Sequence, residues 1–195
     1  LAAAEAYMRG IERRIKEGLD PCVTSVASIF VSRWDVAANR RVPARLHNRL
    51  GIAIGQSTYQ AYRELLRSRR WHGLKLAGAR QQRLLWASTG TKAPNASDTL
   101  YIEALAAPDT IDTMPEKTLL AFAEHGVLNG ALVGDGQAAA VELNQFREAG
   151  IDIDALALQL QQEGAKSFVQ AWHRLLQRIA EKSVGHSPAL PGLSA

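Results

Sequence analysis

The run Arg83-Leu84-Leu85-Trp86-Ala87, with the loop Ser88-Thr89-Gly90-Thr91-Lys92 behind it, most constrains what this chain can become. Five mostly apolar residues without alternation suit a strand buried on both faces, as in a parallel sheet. The run stops at two hydroxyls, a glycine, a third hydroxyl and one cation. Pro94 and Asn95 then break the chain, and Ser97 or Asp98 caps a new apolar segment, Leu100 to Leu105. A strand therefore delivers a polar, cationic loop at its C-terminal end, the end at which α/β folds bind ligands. Hydroxyls, backbone N–H groups and an ammonium together suit a phosphate.

The same strand-then-helix order recurs. Thr24 to Ser32 reads as a buried parallel strand, with Val26, Ala27, Ile29, Phe30 and Val31 apolar and Arg33 at its C-terminal end. An arginine there is costly to bury unless an anion pairs with it, either Asp35 or a ligand. Thr110 to Met114 reads as a third, short strand. Pro115 and Glu116 start a helix that runs to His125 and is closed by Gly126. His125 at a helix C-terminus is a common structural placement, which weighs against a general base.

Around these units the periodicity predicts helices. Ala2 to Glu17 carries Ala4, Tyr7, Met8, Ile11 and Ile15 on one face. Asp35 to Leu46 reads as a polar link with some helix. Gly51 to Arg70 is a longer helix, holding Arg63, Arg67, Arg69 and Arg70 with Glu64, and Trp71 to Arg80 reads as an irregular connection. Tyr59, Tyr62 and Trp71 are expected in the core. Gln137 to Ala149 is helical, a further helix capped by Asp152 or Asp154 carries Leu156, Leu158 and Leu160, and a last one spans Gly164 to Ile179. From Ser183 onward, prolines and glycine indicate a disordered tail or linker, so the folded part is expected over 1–182.

A net charge of +4 raises the question of nucleic acid, but the basic residues are dispersed among acidic ones and no recognition motif accompanies them. No apolar run approaches the ~20 residues of a membrane span. His47, His72, His125, His173 and His186 show no metal-ligand spacing, so neither metal nor cofactor is expected. The single cysteine, Cys22, allows no internal disulfide and fits a reducing, cytoplasmic setting.

Three stretches carry a resemblance. Ser25-Val-Ala-Ser-Ile-Phe-Val-Ser-Arg-Trp-Asp35, Leu85-Trp-Ala-Ser-Thr-Gly-Thr-Lys-Ala-Pro-Asn-Ala-Ser-Asp-Thr-Leu-Tyr101 and Asp112-Thr-Met-Pro-Glu-Lys-Thr118 resemble the transaldolase family. They are most similar to the long bacterial type also found fused to glucose-6-phosphate isomerase. The resemblance covers roughly residues 1–182 and implies a partial (β/α)8 TIM barrel: its last three strand–helix units plus C-terminal helices. Strands one to five would precede Leu1. It also implies transfer of a dihydroxyacetone unit between sugar phosphates through a Schiff base on a lysine of strand four, absent here. No catalytic residue is then expected in this chain, and the 195 residues alone should be inactive. Arg33 is implied as a contact to the substrate phosphate, with Ser88 and Lys92 beside it. Some family members carry arginine near the place of Lys92. A non-catalytic phosphate- or partner-binding module, or the transaldolase half of an isomerase fusion, are the alternatives.

Overall fold

In the computed structural model, which describes residues 1–132 and 136–184, three parallel strands form one sheet in the order β1-β2-β3. They are β1 (Ser25–Phe30), β2 (Gln82–Ala87) and β3 (Thr110–Thr113). The register pairs Ala27 with Leu84 and Leu84 with Thr110. Helices fill the rest: α1 (Ala2–Lys16), α2 (Val31–Ala38), α3 (Leu50–Arg67), α4 (Arg69–Leu76), α5 (Leu100–Leu105), α6 (Glu116–His125), α7 (Gln137–Glu148) and α8 (Ile153–Val184). A 3-10 turn spans Ala44–Leu46. Among the described residues no helix is long and apolar enough to cross a membrane.

The chain divides into two compact units, 1–151 and 152–195. In the first, the core lies on one face of the sheet. Leu84 and Trp86 of β2 pack there with Val31 of α2, Tyr59 and Tyr62 of α3, and Tyr101 and Leu105 of α5. The Trp86 indole N–H donates to the Leu105 carbonyl at 3.0 Å, which satisfies its one polar group in the core. A second cluster joins Met8 and Ile11 of α1 to Trp71 and Leu74 of α4. Arg70 holds these two helices together, gripping Glu12 with two nitrogens and reaching Glu5. Tyr59, Tyr62 and Trp71 are buried, as expected of core aromatics.

The other face of the sheet is not covered. Side chains alternate along β1, and Val26 and Phe30 are 45% and 37% exposed. The apolar run predicted burial on both faces; period-2 geometry gives it one buried face and one open one.

Three segments differ from the sequence-based expectations for local reasons. The first strand ends at Phe30, and Val31 begins α2, so Arg33 does not terminate a strand. Val31, Trp34, Asp35 and Ala38 are buried at helical spacing, a period hidden by the apolar run before it. The long arginine-bearing helix stops at Arg67. Ser68 accepts from the Trp71 N–H at 3.1 Å and caps a separate helix over the segment expected to be irregular. Arg63 and Arg70 then face different partners, Asp109 and the α1 glutamates. In the second unit, α8 is one helix where two were expected. Asp152 caps it by accepting from the Ala155 N–H, and Gly164 does not break it. An interior glycine costs only about 1 kcal/mol against alanine, and neither proline nor a capping pair follows it. Phe168, Trp172, Leu175 and Ile179 lie along α8 as an exposed apolar stripe. Ser183 and Val184 belong to α8; the rest of the expected tail lies outside the described residues.

Candidate functional site

The C-terminal ends of β1 and β2 meet through two serines. Ser88 follows β2 with φ of 58°, a left-handed conformation uncommon outside glycine. This turn aims its carbonyl at the Ser32 N–H, 3.1 Å away, and its hydroxyl at the Ser32 hydroxyl, 2.8 Å away. Ser32 itself is buried in the first turn of α2. Arg33 is the next residue in the chain. Its guanidinium carbon lies 4.7 Å from the centre of the Phe30 ring. Arg33 makes no hydrogen bond or ion pair among the described residues, so its five N–H donors remain for an anion.

Asp35 does not neutralise Arg33. Its carboxylate is buried and accepts from the Tyr101 hydroxyl at 2.7 Å and the Gly51 N–H at 3.2 Å, with a further bond from the Leu50 N–H. These N–H groups open α3, whose own cap residue, Arg49, makes no side-chain cap bond. Asp35 thus caps α3 from α2. Burial pushes its carboxyl above the ordinary carboxylate range, and the three hydrogen bonds offset part of that rise. Gly51 permits the contact: a Cβ there would stand 2.6 Å from the Val31 carbonyl oxygen.

The loop from Ser88 to Thr99 leads from β2 to α5. Thr89, fully buried, donates to Asp112 of β3 at 2.8 Å. Burial raises the Asp112 carboxyl, and the Thr89 hydroxyl opposes that shift. Gly90 sits against Pro115 and Thr118 at the start of α6. Thr91 closes the loop by donating to the Ser97 carbonyl at 2.7 Å. Lys92 is exposed and has no hydrogen bond or ion pair among the described residues. Ser88 is bonded to Ser32, the residue before Arg33, and Lys92 lies four residues beyond Ser88 in the loop.

Sequence reasoning missed Ser32, Phe30 and the Thr89–Asp112 pair. Ser32 and Phe30 stand on either side of Val31, within three residues of Arg33, but only the strand-to-helix switch at Val31 gives them roles. The Thr89–Asp112 contact depends on the register of β2 against β3.

A parallel sheet with helices behind it and a cationic, hydroxyl-rich cluster at its strand ends defines an α/β protein of the ligand-binding kind. The transaldolase/fructose-6-phosphate aldolase family model matches residues 1–179, and the chain belongs to that family. It is 38% identical to the transaldolase of Thermobifida fusca, over 95% of this chain and 53% of that protein. Identity to transaldolase 2 of Streptomyces coelicolor is 40%, and to the transaldolase of Mycobacterium tuberculosis 42%, each over 89% of this chain and 49% of the relative. The chain spans about half the length of the curated relatives it matches.

Proposed function

We propose that this chain is the C-terminal portion of a transaldolase and supplies the site that holds the substrate's phosphate. Family membership supports the reading, together with the bond that ties Ser88 to Ser32, the residue before Arg33. In this reading β1, β2 and β3 are the last three strands of a (β/α)8 barrel, and the uncovered face with Val26 and Phe30 is its interior. The reaction moves a dihydroxyacetone unit from a ketose phosphate, sedoheptulose 7-phosphate or fructose 6-phosphate, to an aldose phosphate. A lysine amine outside this chain condenses with the ketose carbonyl and releases water. The iminium takes up the electrons of the breaking carbon–carbon bond, and the aldose departs. This chain's residues bind and orient: Arg33 grips the phosphate with two parallel N–H bonds, Ser88 adds a hydroxyl and Lys92 an ammonium.

The test is kcat/KM in the complete protein for fructose 6-phosphate against fructose. Each charged hydrogen bond is worth roughly 1.5–3 kcal/mol, so Arg33→Ala should lower the value for the phosphorylated sugar about 10- to 100-fold. The value for fructose should hardly change, and Arg33→Lys should recover only part. Equal losses for both sugars would assign Arg33 to the fold.

A further inference from the structure

Lys92 has no contact that would hold it, yet its loop is fastened at two places. Gly90 packs on Pro115 and Thr118 in the first turn of α6. At the other end of the same helix, His125 Nε2 lies 2.9 Å from Asp98 Oδ1. Both side chains are half exposed, so the pair sits on the rim. Between the two fastenings run Thr91 to Ser97, bonded locally: Thr91 to the Ser97 carbonyl, Ala96 N–H to the Ala93 carbonyl, and Ser97 onward to Thr99 and the Leu100 N–H. Glu103 of α5 supports the exit, accepting from the Thr99 hydroxyl and from the Val127 N–H just past α6.

We propose that His125 is a positioning residue: paired with Asp98, it fastens the loop along α6 and so holds Lys92 where a substrate phosphate can reach it. This rests on the phosphate-site reading above. His125 stands in the last turn of α6, with Nε2 against the Asp98 carboxylate. The charged groups facing the pair are Glu124 on α6, 4.0 Å from Nδ1, with Glu103 of α5 and Lys117 of α6 farther off.

The test combines hydrogen exchange with kinetics on the complete protein. His125→Ala and Asp98→Ala should each speed amide exchange of residues 91–98 about two- to fivefold, the range of an exposed pair. The double variant should add nothing further, β2 should be unaffected, and His125→Gln, which still donates to Asp98, should restore part. KM for fructose 6-phosphate should rise by a similar factor in His125→Ala with kcat unchanged. In a Lys92→Ala background the same change should have no effect. Unchanged loop exchange would overturn the fastening, whatever Arg33 does. Faster exchange with an unchanged KM would overturn the positioning of Lys92, while the Arg33 experiment decides the phosphate reading by itself.

Discussion

Replacing Asp35 should be the most damaging single change near the site, although Asp35 touches no ligand. Its carboxylate serves three buried donors: the Tyr101 hydroxyl and the N–H groups of Leu50 and Gly51. Asp35→Ala strands all three, at about 1–3 kcal/mol each, and recovers part by removing a buried charge. The expected net loss is about 3–5 kcal/mol. Tyr101→Phe removes one donor and should cost about 1–2 kcal/mol. Asp35→Asn keeps an acceptor and falls between them. The sign with pH follows from burial. The folded carboxyl lies above its ordinary value, so its contribution is full below the unfolded pKa of about 4 and is lost as pH rises through the folded pKa. The gap between wild type and Asp35→Asn should therefore narrow as pH rises above the ordinary carboxylate range. Urea denaturation followed by the fluorescence of buried Trp34 and Trp86 measures both effects. A loss under about 1 kcal/mol for Asp35→Ala would refute the capping role, and a gap that widens with pH would show that the three hydrogen bonds outweigh burial.

Gly51→Ala should destabilise by more than about 2 kcal/mol, since the new methyl meets backbone oxygen at 2.6 Å; an unchanged urea midpoint would show that α2 and α3 separate easily. Trp86→Ala should cost about 3–5 kcal/mol through lost packing and the orphaned Leu105 carbonyl, read in the same titration. The Asp98 carboxylate raises the His125 pKa, so the pair is strongest at acid pH and weakens as pH rises through that raised value. Loop exchange, normalised to β2, should therefore quicken on the alkaline side in wild type, whereas His125→Gln should show no such change.

Much of this molecule is legible in its residues, and the failures have definite causes. Turn chemistry placed the ends of β2 and β3 within a residue, because Ser88-Thr89-Gly90 and Pro115 are unambiguous punctuation. At Phe30-Val31 no such punctuation exists: an apolar strand runs directly into an amphipathic helix, and only the 31/34/35/38 spacing marks the change. The capping role of Asp35 was invisible for another reason, since its partners lie 15 to 66 residues away, at Leu50, Gly51 and Tyr101. Gly164 misled in the opposite direction, because a glycine within good helix formers is a small cost and not a stop. Arg33, Ser88 and Lys92 follow from chemistry and resemblance; the bond between Ser32 and Ser88 needed coordinates.

The strand order has a consequence for synthesis on the ribosome. Ala27 pairs with Leu84, 57 residues later (27 to 84), whereas Leu84 pairs with Thr110 after only 26 (84 to 110). Closing the longer loop costs about 0.7 kcal/mol more. At about 5–20 residues per second, β1 waits roughly 3–11 s before its neighbour has even been made. Throughout that interval Val26, Ile29 and Phe30 lack β2, the strand against which β1 is paired. Pulse-labelled nascent chains stalled near residue 60 should thus be more protease-sensitive at β1 than chains stalled beyond β2 and clear of the exit tunnel, so that the exposure of β1 lasts until β2 has been made.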